Sequence, residues 1–423
     1  MTISRMKTIK GILSTLVLIP CAAFAQDHWV ETWTAAQQTP RVIAPQANAP
    51  AAPAVPTGFN NQTIRMIVRN TIGGRRLRLE LANTYGTTPL MIGAAHIALR
   101  TKDSGINPAT DHALKVNGKT AFTIPPGALL LTDPVDLEVP QLADLAVSIY
   151  VPGPATMQTQ HSLGLHATYI SKDGDFTGQP SIADATTTQS WYWLSSIQVM
   201  APVTVGAVVT FGDSITDGFR STPDTNRMWP AVLAERLLTT SKAAPLAIVN
   251  EAISGNQVLH DGAGVNALAR FDHDVMARAG VKWLIILEGI NDIGRGLGPN
   301  ATAATAVSAD DVIAAHRQMI DRAHSRGIKV IGATLTPFEG AAYNNEKGEA
   351  VRSALNQWIR TGGAYDGIID FDAATRNPSH LTQLRSEFDS GDHLHPNDAG
   401  YKAMADSIDL SIFKSTATLS KKH

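Results

Sequence analysis

Cysteine is all but missing: the 423 residues hold one, Cys21, inside an N-terminal apolar run. A chain processed after that run carries no thiol, which excludes disulfide staples, a cysteine nucleophile and thiolate metal sites. No Lys/Arg block stands out apart from a short terminal Lys421-Lys422, and the formal charge is only −2. No nucleic-acid footprint is present. Beyond the N-terminus there is no apolar run of about 18 residues, so neither a membrane span nor a stable membrane anchor is expected. Charged residues make up 17% and hydrophobic ones 44%. That mix is too apolar for a disordered chain, and the length argues for about two domains.

The first 25 residues read as a cleavable secretory signal. Arg5, Lys7 and Lys10 form a basic start, an apolar run follows over 11–20, and Ala23-Phe24-Ala25 is a small-x-small cleavage site. Leu18-Ile19-Pro20 lack the small residues that a lipid-anchored start needs before Cys21. Cleavage after Ala25 leaves Gln26-Asp27 at the new N-terminus and implies a secreted or periplasmic protein.

Residues 39–58 carry Pro40, Pro45, Pro50, Pro53 and Pro56 with no regular period, a strap over the surface. From 62 to 200 short β-branched or alternating segments prevail, clearest at 63–68, 76–81 and 145–150, with Gly73-Gly74 expected as the hairpin turn joining the first two. Residues 26–203 are therefore expected to form a β-sandwich, jelly-roll-like, and 204–423 a second domain. There the rhythm changes to apolar strands at 205–211, 246–250, 283–288, 329–334 and 368–371. Helical patterns alternate with them at 229–239, 265–278, 309–326, 350–361 and 398–408. Fully apolar strands such as Leu284-Ile285-Ile286-Leu287 suit a parallel sheet covered on both faces, and Ser308 with Asp311 forms a capping box. The expected architecture is a doubly wound α/β domain, whose ligands bind at the carboxyl edge of the sheet.

Four loops at that edge hold polar residues that a plain connector does not need. They are Gly212-Asp213-Ser214-Ile215-Thr216, Glu251-Ala252-Ile253-Ser254-Gly255-Asn256, Glu288-Gly289-Ile290-Asn291-Asp292 and Gly391-Asp392-His393-Leu394-His395-Pro396. Each alone has a bland reading: Gly-Asp-Ser as a turn, Asn-Asp as a helix cap, Asp-x-x-His as surface. Together they resemble the SGNH/GDSL hydrolases, whose Ser, Gly, Asn and His fall on Ser214, Gly255, Asn291 and His395. The first block reads GDSIT in place of GDSL, an Ile for Leu that leaves the chemistry intact. The resemblance covers roughly 205–412 and implies a flavodoxin-like sheet.

The residue types suit acyl transfer. A serine hydroxyl needs a base, and imidazole suits that task near neutrality. Asp392, three residues before His395, can reach the other ring nitrogen, completing a Ser214-Asp392-His395 triad. The N–H groups of Ser214 and Gly255 and the side-chain amide of Asn291 can serve as oxyanion donors. Pro396 is expected to open the next helix.

His393 beside Asp392 and His395 raises a metal site, but no further ligand is evident, and neither metal nor cofactor is expected. Gly294 to Gly298 lack the spacing of a dinucleotide fingerprint, and Thr216 breaks the Gly-x-Ser-x-Gly elbow. Trp191-Tyr192-Trp193 reads as packing before it reads as a sugar platform, and nothing in the spacing of His161 and His166 makes them ligands.

The stretches 270–275 and 287–293 further resemble acylhydrolases linked to plant cell-wall esters, the xylanase-associated esterases. That likeness implies a carboxylic ester substrate: acetyl or another short acyl group on a carbohydrate, such as an acylated polysaccharide, or on an aryl alcohol. Two other readings stay open. One is a metal-dependent phosphoesterase using Asp213, Asn291, Asp392, His393 and His395, and the other a non-catalytic carbohydrate-binding protein. Oligomeric state is not legible.

Overall fold

A computed structural model describes residues 27–40, 58–240 and 245–414. The leader with Cys21 and most of the Pro-rich strap lie outside these residues. Among those described, no helix is long and apolar enough to cross a membrane.

Residues 27–202 form mostly antiparallel structure, with a six-stranded and a four-stranded sheet as its main layers. Alternation decides which side chains meet. Along Gln62–Arg69, Ile64, Met66 and Val68 join the main core, as do Val147 and Ile149 of Asp144–Val151 and Leu77, Leu79 and Leu81 of Leu77–Ala82. Residues of the opposite pleat, Ile67 and Ala146, meet Ala98 and Ile106 in a second, small cluster. Each such Ile or Leu contributes about 1.5–3 kcal/mol on burial.

The strands Gln62–Arg69 and Leu77–Ala82 do not form the expected hairpin. The first pairs with Asp144–Val151 and Thr168–Asp173 in the six-stranded sheet, and the second with Leu194–Pro202 and Leu129–Leu131 in the four-stranded one. Period-2 alternation specifies a face, not a partner. Gly73-Gly74 instead meets the 139–141 segment: Gly74 exchanges backbone hydrogen bonds with Val139, and a Cβ on Gly73 would lie 2.5 Å from the Val139 carbonyl oxygen.

The second half is built on a five-stranded parallel sheet in the spatial order Leu246–Asn250, Gly206–Gly212, Val281–Leu287, Lys329–Ala333, Gly367–Ile369. Numbered from the first strand, this is the 2-1-3-4-5 order of flavodoxin-like folds, as expected. Burial on both sides explains the apolar runs: Val208, Val209, Leu284, Ile285 and Ile286 are fully buried. The register sets Gly212 beside Leu287 and Thr210 beside Asn250, so three strands end at one edge. The order reverses between the strands ending at Gly212 and Leu287, the switch point where such sheets bind ligands.

Two local expectations are corrected. The 265–278 helix is α-helical only over Ala267–Phe271 and widens to a π turn over Asp272–Met276, where Ala277 N–H donates to Asp272 O. That turn accompanies the inward placement of Asp274 and Arg278, both buried with Arg270. Pro396 is not the first residue of its helix, which spans Asp398–Ser407 and is capped by the Asn397 side chain on Gly400 N–H. The amide oxygen satisfies a first-turn donor that proline cannot.

The halves are stitched through Asp27–Thr34, the edge strand of the four-stranded sheet. Glu31 N–H donates to Ala279 O at 3.0 Å, and Thr34 Oγ1 to Asn250 O at 3.2 Å. Beneath them Arg278 Nη1 lies 2.9 Å from Glu80 Oε1, across the seam, and its Nε 2.7 Å from Glu251 Oε1.

Candidate active site

Ser214 opens a one-turn helix, Ser214–Asp217, directly after the first parallel strand. The Asp213 side chain caps that turn on Ile215 N–H at 2.9 Å, and Gly218 ends it at φ +101°. First-turn N–H groups have no intrahelical acceptor, so the helix itself makes no claim on the Ser214 N–H. Burial pushes the Asp213 carboxyl up to about 7, with Asp292 and Asp217 adding to it. Its Oδ2 is buried with no hydrogen-bond partner among the described residues, which penalises the charged carboxylate.

Ser214 Oγ lies 2.8 Å from His395 Nε2, and His395 Nδ1 lies 2.9 Å from Asp392 Oδ2. A carboxylate accepts, so Nδ1 carries the hydrogen and Nε2 presents its lone pair to the serine. Asp392 Oδ1 accepts the backbone N–H groups of Leu394 and His395 at 3.1 and 2.9 Å. Burial raises the Asp392 carboxyl, but the bonds from His395 outweigh it and hold the group well below the usual carboxylate range. The Phe219 ring packs edge-on against His395 at 4.7 Å between centroids.

Gly255 sits in the loop after Leu246–Asn250 at φ +80°, a left-handed conformation that favours glycine. Asn291 lies in the first turn of Ile290–Leu297, and its side-chain Nδ2 is buried with no acceptor among the described residues. Its neighbour Asp292 accepts from Val258 N–H at 2.8 Å and Leu259 N–H at 3.0 Å, tying the Gly255 loop to this helix. Arg295, one turn on, donates to Gly255 O at 3.4 Å. The four sequence blocks thus converge on one edge of the sheet.

Several supporting groups escaped the sequence reading. Arg270, buried, donates to Gly212 O, Glu251 O and Asn256 Oδ1 and so fastens two strand ends to the loop after Gly255. Its guanidinium lies 4.0 Å from the Phe211 ring centroid. Tyr343, over Gly294, has a buried hydroxyl without a partner among the described residues, and burial raises it far above the ordinary phenol range. Arg220 reaches Asp392, and His161 reaches Asp217 from the β-rich half. A positive φ at Arg220, +75°, is visible only in three dimensions.

His393 is turned away from His395: its Nδ1 lies 2.6 Å from Asp389 Oδ2 and its side chain is half-exposed. Among the described residues no three His, Cys, Asp or Glu side chains gather to hold a metal ion. Trp191, Tyr192 and Trp193 are buried, with Trp191 edge-on to Trp33 at 4.9 Å, so this run packs the β-rich half.

A doubly wound sheet with these loops at its switch point is the frame of a ligand-binding α/β enzyme. Residues 210–403 match the model of the GDSL-like lipase/acylhydrolase family. This stretch, a little under half of the chain, is similar to that family, and the match supports a carboxylic ester hydrolase. Among solved structures it is similar to Axe2, an acetylxylan esterase from Geobacillus stearothermophilus, at 22% identity and TM-score 0.38, over 49% of this chain and 94% of that one. It is also similar to LAE5, an alpha/beta hydrolase enzyme from the metagenome of Lake Arreo, Spain, at 20% identity and TM-score 0.38, over 48% and 92% of the two chains. No curated protein matches.

Proposed function

We propose that the protein is a secreted serine esterase that removes short acyl groups, acetyl foremost, from carbohydrate or aryl alcohols through an acyl-enzyme. The observation that carries this reading is the 2.8 Å approach of Ser214 Oγ to His395 Nε2, with His395 Nδ1 on Asp392. His395 takes the Ser214 proton as Oγ bonds to the ester carbon. The carbonyl oxygen becomes an oxyanion facing the N–H groups of Ser214 and Gly255 and the unpartnered Asn291 amide. His395 then gives its proton to the departing alkoxy oxygen, leaving the acyl group on Ser214. Water repeats the sequence, delivering its proton to His395 and releasing the acid and the free serine. Asp392 holds the ring and stabilises the imidazolium at each step.

The short acyl group and sugar or aryl alcohol rest on the likeness of the 270–275 and 287–293 stretches to cell-wall acylhydrolases. Secretion rests on the leader pattern over 1–25. The β-rich half, 26–203, is assigned as a sandwich domain, with 204–423 as the catalytic domain. The test is labelling with an organophosphonate, read by intact mass, alongside hydrolysis of p-nitrophenyl acetate and acetylated xylan. The wild type gains one adduct and loses turnover, while Ser214→Ala is inactive and unlabelled. A fully active Ser214→Ala protein, or activity abolished by chelator and restored by a divalent ion, would end this account.

A further inference from the structure

We propose that His161, from the β-rich half, is a positioning residue for ester hydrolysis: a buried imidazolium that acts through Asp217 and Ser254 to hold the Gly255 loop against the helix beginning at Ser214. The proposal rests on the Ser214 reading above and adds a requirement for the other half of the chain.

The ring's two contacts fix its charge. His161 Nδ1 lies 2.8 Å from Ala36 O and Nε2 lies 3.0 Å from Asp217 Oδ1. A carbonyl oxygen only accepts, so Nδ1 carries a hydrogen. A neutral ring would then point the Nε2 lone pair at a carboxylate oxygen, which is repulsive unless one of the two is protonated. Asp217 is the weaker candidate for that proton, because its Oδ2 already accepts two donors, Ser254 N–H at 2.9 Å and Ser254 Oγ–H at 2.6 Å. Donors of this kind favour the charged carboxylate. The ring nitrogen therefore holds the hydrogen, and the pair is ionic. Burial works against a charged His161, yet Asp217 and the carbonyls outweigh it and raise the imidazole above its ordinary value.

The surroundings hold this pair in place. The His161 side chain is 3% exposed and that of Asp217 4%. Trp191 stacks on the imidazole at 5.6 Å and 27°, and its own Nε1 donates to Ile67 O. A cavity of about 80 Å³ adjoins the pair, and the other charged or titratable side chains lining it are Arg69 and His166.

The consequence follows from chain positions. Asp217 is the last residue of the helix that starts with Ser214, and Ser254 immediately precedes Gly255. One carboxylate thus ties the nucleophile's helix to the loop carrying a proposed oxyanion donor, and His161 supplies the charge that keeps it there. A small displacement at such a donor costs rate rather than substrate binding.

Two measurements test this on the full chain. In ¹⁵N-histidine protein near neutral pH, the His161 ring, assigned by its loss in His161→Gln, should show both nitrogens protonated. In steady-state hydrolysis of p-nitrophenyl acetate, His161→Gln should lower kcat by about 10- to 100-fold while KM stays within about twofold. Ser254→Ala, which cuts the same link from its other end, should give the same split and carries the test if His161→Gln does not fold. A neutral His161 ring, or an active wild type whose folded variants keep full kcat, would overturn the proposal and leave Ser214 untouched. A wild type that neither turns over ester nor takes the phosphonate would instead bring down the serine reading itself.

Discussion

Arg220 Nε lies 3.3 Å from Asp392 Oδ2, the oxygen that also accepts the His395 Nδ1 bond. Arg220 holds φ +75°, and its guanidinium sits 5.0 Å from the centroid of Phe219, the ring that packs on His395. A cation on this carboxylate opposes the positive charge that the imidazole gains in the transition state, while it also fixes the carboxylate in place.

The first effect leads to a measurable pH shift. Replacing Arg220 with Gln leaves the whole Asp392 charge to His395, so the acid limb of kcat/KM should move to higher pH. The Arg220 side chain is 45% exposed, which screens the interaction and keeps the shift below about one pH unit. A full pH profile of wild type and Arg220→Gln at two salt concentrations checks this. An unmoved limb would mean that the contact only orders the loop.

Asn291 should separate catalysis from stability. Its Nδ2 has no acceptor among the described residues although it is buried, so the folded protein already bears the cost of an unmade hydrogen bond. Asn291→Ala should lower kcat on the order of 10²–10³-fold, equivalent to about 3–4 kcal/mol, as the loss of one oxyanion donor does. The Tm should stay level or rise. Kinetics and thermal melts on the same preparation decide; a wild-type kcat would remove Asn291 from the oxyanion site.

What could be read from the chain follows its own physical logic. The strand Val281–Leu287 was visible because burial on both faces demands an apolar run, and Asp392 with His395 because three residues of backbone bring them together. The Gly73-Gly74 hairpin failed because alternation says which side chains face inward and nothing of which strand lies alongside. His161 and Asp217 stand 56 residues apart on different halves, so no spacing rule links them. Arg65 hid for a similar reason: fully buried, it donates to Ser148 Oγ and to the carbonyls of Ser104, Phe176, Thr177 and Gln179, a set that only the folded loops assemble.

Arg278 should be the costliest charge to remove. Its side chain is 2% exposed and lies among Glu80, Glu251 and Asp274, with Ser195 Oγ at 3.1 Å. Burial alone would lower its proton affinity, but the carboxyl groups around it, Glu251 and Glu80 foremost, outweigh this and hold it as a cation. Arg278→Met leaves buried carboxylates without their counter-charge, and breaking such a set costs roughly 3–5 kcal/mol. Urea unfolding followed by tryptophan fluorescence measures it. Because Glu80 and Arg278 come from different halves, the variant should also broaden the transition.

Glu31 gives the opposite sign and a defined pH window. Burial pushes its carboxyl up to about 7 from an ordinary 4.5, despite the attraction of Arg278 and the Ala279 N–H bond. Oε1 accepts from Gln198 Nε2 and Ala279 N–H, and full burial of the side chain favours the neutral acid. A raised folded-state value means that the native protein binds this proton more tightly than the unfolded chain. Its contribution is therefore complete below pH 4.5 and is lost as pH rises to about 7. Glu31→Gln keeps the neutral shape at every pH, so its Tm relative to wild type should climb across that window and level off above it. Melting both proteins in steps from acid to mildly alkaline buffer tests the sign directly. A difference that is flat, or that falls with pH, would mean that Glu31 is ionised in the native state and paired with Arg278 throughout.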